Sequence, residues 1–196
     1  MLNKVSELEL RLFSKLHHEG VLQRLIKATL GIVVTAVTMS EECCISFEEE
    51  MVTGNEQVTF NFERIKLLAV LPDKNKIRIE FTFRNKAFLM EDVVGEALKA
   101  FSNQADPFLQ RDMPILFEEM YPVYVVNLLD FIQNEAENHP VSDIIIAEKD
   151  SQQRLKDENG NDLFRLMIIE LAKFDSGDEL VNQLLMDWRA FFQKNK

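Results

Sequence analysis

The side chains best suited to chemistry in this sequence lie close together. Residues 64–86 hold Arg64, Lys66, Lys74, Lys76, Arg78, Arg84 and Lys86, with only Asp73 and Glu80 against them. Cations clustered this way form an anion site, for instance for a nucleic-acid backbone. They also suit a hairpin whose charges satisfy acidic neighbours elsewhere in the fold. The rest of the chain is acidic. With 22 Lys and Arg against 33 Asp and Glu, the net charge is −11. Tight nucleic-acid binding by the whole surface is therefore excluded, whereas a local groove is not.

Other chemistry is poorly served. Cys43 and Cys44 are adjacent, so in extended chain they point to opposite faces and are badly placed to bond to each other. With His17, His18 and His139 as the only histidines and no Cys-x-x-Cys pair, a zinc site is not expected. Ser46, Ser102 and Ser142 lack a Gly-x-Ser-x-Gly setting, and there is no Gly-rich phosphate loop. Glu48, Glu49 and Glu50 read as a solvated strand end. Residues 1–20 carry charges throughout instead of a secretory apolar core, and no apolar run approaches the about 18 residues of a membrane span. The expected setting is a reducing cytoplasm with no membrane partner.

The elements that must position these residues follow from periodicity. Leu8, Leu12 and Leu16 mark a helix over Leu2–His18, and Val21, Leu22, Leu25, Ile26 and Leu30 a second one stopped by Gly31. Ile32–Thr38 is β-branched and suits a strand, as do Cys44–Val52 and Gln57–Leu71. Lys76–Phe83 alternates polar with apolar residues, the mark of a half-buried strand. Pro72–Asn75 supplies turn chemistry before it, so 63–83 is expected as a hairpin. If the turn pairs Leu71 with Lys76, Leu67 faces Glu80. Ala87–Ser102 is helical, and Asp106–Glu119 is irregular. Val123–Phe131, Asp143–Glu148 and Leu163–Leu171 are strands, with a polar turn over Gln152–Asn161. Glu179–Gln193 is a helix whose Trp188, Phe191 and Phe192 read as core. The expected fold is a single mixed α/β (α+β) domain over 1–196, with a central mixed sheet flanked by helices.

The C-terminal third resembles a known family. Tyr121-Pro-Val-Tyr-Val-Val-Asn-Leu-Leu-Asp-Phe131 is similar to the Pro-Val-x-x-Ile-x-Ile-Leu-Asp-Phe strand of the recombination-promoting nuclease/putative transposase (Rpn-like) family. Asp157-Glu-Asn-Gly160 follows. Met167-Ile-Ile-Glu-Leu-Ala-Lys-Phe174 then resembles a strand ending Glu-Leu-Pro-Lys-Phe, with Ala172 in place of proline. Trp188 and Phe191-Phe192 sit where the family has a Trp-Leu-x-Phe-Leu helix. Leu12-Phe13-Ser14 and Leu25-Ile-Lys-Ala-Thr-Leu-Gly31 match its opening segments more loosely.

The resemblance implies a PD-(D/E)XK nuclease-like fold and Mg²⁺-dependent DNA cleavage linked to recombination. An Asp on one hairpin strand and a Glu on the next hold the metal, and a Lys or Gln two residues later helps to position water. Hard Mg²⁺ requires such oxygen ligands, and the bound ion activates water and offsets phosphate charge. Carried over residue by residue, Glu80 takes the metal position and Thr82 the Lys/Gln position. Lys66, Lys76, Arg78 and Arg84 would face DNA phosphates. The Asp is missing: Ile65–Val70 carries no carboxylate, and Ser6 stands near another family Asp, with Glu7 and Glu9 shifted. Glu63 and Asp73 are displaced alternatives. The expectation is thus a divergent family member with an eroded motif, needing Mg²⁺ if active. The rival expectation is a non-enzymatic module that keeps the nuclease fold and binds a protein partner or regulates. An unrelated α+β binding domain is a third.

Overall fold

The computed structural model describes residues 14–16, 18–39, 45–48, 57–60, 64–86, 88–102, 121–133 and 139–194. Most of the expected Leu2–His18 helix lies outside them, as do Ser6, Glu7, Glu9, His17, Cys43, Cys44, Glu49, Glu50, Glu63 and the irregular Asp106–Glu119 segment.

Helix α1 spans Glu19–Leu30 and ends where expected: Gly31 adopts φ 72°, and its N–H closes on the Lys27 carbonyl at 3.0 Å. The left-handed conformation there costs a glycine nothing. The strands are β1 (Ala36–Met39), β2 (Ile45–Glu48), β3 (Gln57–Phe60), β4 (Arg64–Val70), β5 (Lys76–Arg84), β6 (Val123–Leu129), β7 (Val141–Ile145) and β8 (Phe164–Glu170). Helix α2 is Met90–Ser102 and α3 is Glu179–Lys194. A six-stranded sheet has the order β1-β4-β5-β6-β8-β7, while β2 and β3 form a separate hairpin. β1, β4 and β5 run antiparallel; β5–β6 and β6–β8 are parallel; β7 closes the far edge antiparallel to β8. The architecture is a mixed sheet between helices.

The strand expected over Gln57–Leu71 falls as β3 and β4 in different sheets, β6 ends at Leu129 and not Phe131, and β1 and β7 take their limits from their partners. Ile32–Thr38 was expected as a strand, but β1 spans Ala36–Met39 and begins at Ala36, which pairs with Val70, the last residue of β4. β7 lies at Val141–Ile145 and not Asp143–Glu148, because its register is set by Arg165–Ile169.

The sheet has two unlike faces. On one, Ile77, Ile79, Phe81 and Phe83 of β5 join Ile65, Leu67, Val126 and Leu128 in the main core. Helices α1 and α3 cover it with Leu25, Ile26, Leu184 and Trp188, all fully buried. Trp188 stacks on Phe83 at 6.2 Å between centroids and Phe191 is buried, so these two are core as expected, while the Phe192 side chain lies outside the described ones. On the other face, α2 lays Val93 and Ala97 over Val123, Val125, Phe164 and Leu166. That second cluster draws no residue from β4 or β5, whose side chains on this face are largely polar.

Candidate nucleic-acid interface

The polar face of the β4–β5 hairpin carries the expected site residues. Its loop is Pro72-Asp73-Lys74. The Lys74 N–H donates to the Leu71 carbonyl at 2.9 Å, and the Leu71 N–H donates to Asn75 at 2.8 Å. This is a three-residue hairpin loop whose last position is left-handed, and Lys74 occupies it at φ 72°. The Asp73 carboxylate fastens the turn by accepting from the Asn75 backbone and side-chain amides, each at 2.9 Å.

That loop corrects the expected register. Val70 pairs with Lys76, so Glu80 faces Lys66 and not Leu67. The slot opposite Glu80 is cationic, where an apolar one was expected. The loop is one residue shorter than the four-residue turn expected, and a one-residue slip exchanges the faces of a strand. Leu67 lies on the buried face, 2% exposed.

The other carried-over residues are distributed along the same face. Lys76 and Arg78 are exposed, and Lys66 and Glu80 are half-buried. The Lys76 ammonium sits 5.8 Å from the centre of the Tyr121 ring. Thr82 is buried between its cross-strand neighbours Arg64 and Asn127. Arg84 is tied down: Nε donates to Asn127 Oδ1 at 2.6 Å, Nη2 meets Glu96 Oε2 at 2.5 Å, and the guanidinium lies 5.3 Å from the Phe88 ring centre. Glu96 also takes Arg64 at 3.3 Å. Helix α2 thus neutralises part of the basic island, the arrangement in which hairpin charges satisfy acidic neighbours.

Two residues of this cluster were not singled out from sequence. Asn127 is 1% exposed, and its Nδ2 has no hydrogen-bond acceptor among the described residues. Its signal was available, as the one polar residue in the apolar run Val123–Leu129. Glu96 carried no signal, since a carboxylate on a helix is ordinarily solvated.

For Mg²⁺, the hairpin provides one carboxylate, Glu80, which faces Lys66, while the Glu96 carboxylate on α2 is engaged by Arg64 and Arg84. No group of three or more His, Cys, Asp or Glu side chains able to hold a metal occurs among the described residues. No helix among them is long and apolar enough to cross a membrane. No family model matches the chain, and no curated protein or solved structure matches it.

Proposed function

We propose that the protein is a divergent Rpn-like domain of the PD-(D/E)XK nuclease type, which meets DNA through the polar face of the β4–β5 hairpin and whose Mg²⁺-dependent cleavage is eroded. The resemblance over residues 121–192 supplies the family, and a mixed sheet between helices is the layout it implies. The observation that carries the loss of cleavage is Lys66 opposite Glu80. A cation in this slot repels a divalent metal, and one carboxylate without a fixed partner holds Mg²⁺ weakly. Lys76 and Arg78 remain exposed on the same side for phosphate contact.

Supercoiled plasmid nicking in Mg²⁺ and in Mn²⁺ tests the reading. Wild type and Glu80→Ala should both stay near background. Lys66→Asp places a second carboxylate across from Glu80, at the Cβ spacing of about 5 Å typical of cross-strand neighbours. It should gain metal-dependent nicking that Lys66→Asp with Glu80→Ala lacks. Nicking by wild type that disappears in Glu80→Ala refutes the eroded site. Fluorescence anisotropy with a labelled duplex tests the DNA contact. Arg78→Ala should weaken binding and reduce the slope of log K against log salt by about 0.9, the value for one phosphate contact. Absence of duplex binding at low salt would refute the contact and favour the protein-interaction module.

A further inference from the structure

The hairpin tip borders a second feature, which shares Lys76 with the polar sheet face. A cleft of about 580 Å³ opens between the Pro72–Asn75 turn and the Asp157–Asn161 turn. This lies within the usual size range of small-ligand sites, about 300–1,000 Å³. Lys74 and Lys76 line one wall, and Lys156, Glu158 and Asn159 the other; Tyr121, Pro122 and Leu163 provide apolar lining.

We propose that this cleft binds a nucleoside phosphate. Among the described residues, Lys74, Lys76 and Lys156 have no carboxylate partner, although the protein is acidic overall. Three lysines lining one cleft suit a phosphate or diphosphate. The Tyr121 ring holds the Lys76 ammonium over its face and orients it. Glu158 and Asn159 stand on the wall across from Lys74 and Lys76 and accept from hydroxyl or amino groups, which a nucleoside carries and an inorganic anion does not. Tyr121, Pro122 and Leu163 give a flat ring an apolar surface.

Both walls are preformed. The Asp157 carboxylate is engaged by its own turn, accepting from the Asn159 and Asn161 N–H groups at 2.9 and 2.8 Å and from Asn161 Nδ2 at 3.0 Å. The Arg78 N–H donates to the Pro122 carbonyl at 2.8 Å, and the Val123 N–H to Leu163 at 3.0 Å, which locks hairpin, floor and far wall to one sheet. The backbone of both walls needs little ordering on binding, which leaves the exposed lysine side chains as the main ordering cost. Lys74 sits in a left-handed backbone that glycine would adopt more readily.

Anisotropy of N-methylanthraniloyl-ADP with the full chain tests the proposal. Probe binding itself involves neither DNA nor cleavage, and a duplex enters only as a competitor, so the outcome is separate from that of the nuclease reading. Wild type should bind saturably, with ADP competing and with adenosine or pyrophosphate competing about tenfold or more weakly, since each keeps half of the contacts. Lys156→Glu, an exposed change, should weaken binding about tenfold or more, the scale of a lost charge-assisted contact. Lys99→Glu on α2 should leave it unchanged, and circular dichroism melts should show both variants folded. The proposal is overturned by absence of saturable binding, by equal affinity in wild type and Lys156→Glu, by pyrophosphate competing as well as ADP, or by a DNA duplex displacing the probe more tightly than ADP.

Discussion

Exchanging the charges of Lys66 and Glu80 tests the register on which the functional reading depends. The two are direct cross-strand neighbours on the polar face of the hairpin. An opposite-charge cross-strand pair is worth about 0.5 kcal/mol, and a like-charge pair costs a similar amount. Lys66→Glu and Glu80→Lys each convert attraction into repulsion, so each should destabilise by about 1 kcal/mol. The double exchange restores the attraction. The coupling around the cycle therefore sums to about 2 kcal/mol. Urea denaturation reads it as midpoint shifts at constant slope. The coupling should shrink in 1 M salt, where the Debye length falls to about 3 Å. Any other contact of Lys66 cancels in the cycle unless it also involves Glu80. Additivity within about 0.5 kcal/mol would refute the facing arrangement. It is also the result expected if Leu67 faced Glu80, because Lys66 would then point to the opposite side.

Three further perturbations have defined outcomes. Trp188→Ala removes a fully buried ring stacked on Phe83 and should cost about 3–5 kcal/mol in urea unfolding. The Tyr124 hydroxyl is pushed up to about 12, by burial first and then by Asp162, with Arg165 acting in the opposite sense. Because the folded state favours the neutral phenol, the associated stabilisation is complete below the ordinary value near 10 and disappears as pH rises through about 12. A spectrophotometric titration should show a late phenolate step that Tyr124→Phe removes. Lys74→Gly relieves a left-handed residue at about 1–2 kcal/mol. It costs about 0.5–1 kcal/mol in chain entropy, for a net gain of roughly 0.5 kcal/mol. The same change should weaken N-methylanthraniloyl-ADP binding, separating stability from ligand affinity at one position.

The elements were legible where burial alternates cleanly. Lys76–Phe83 displays its two faces in the sequence, and Ile77, Ile79, Phe81 and Phe83 are all buried. The Glu179–Gln193 stripe and the Gly31 stop were equally plain. The register was not, because it depends on loop length, and the usual mark of a three-residue loop is a glycine at its last position. Lys74 stands there instead. Strand ends misplaced at β1 and β7 are set by where the partner strand stops, which no local pattern encodes. The candidate site was half legible. The basic island identified Lys66, Lys76, Arg78 and Arg84 by composition. Which of them Glu96 ties down, and which lies over Tyr121, depends on contacts between segments far apart in the chain.

The excursion between β7 and β8 has a consequence for how this protein can change. No residue from 147 to 163 belongs to either hydrophobic core. The arm is held by bridges between Ala147 and Arg154 and between Lys156 and Asp162, together with the Asp157 turn. Insertions or deletions in it would alter the width and charge of the cleft while leaving the sheet and its helices intact. Ligand preference can therefore drift in this arm independently of the scaffold, and related chains should differ in length here before they differ in the strands.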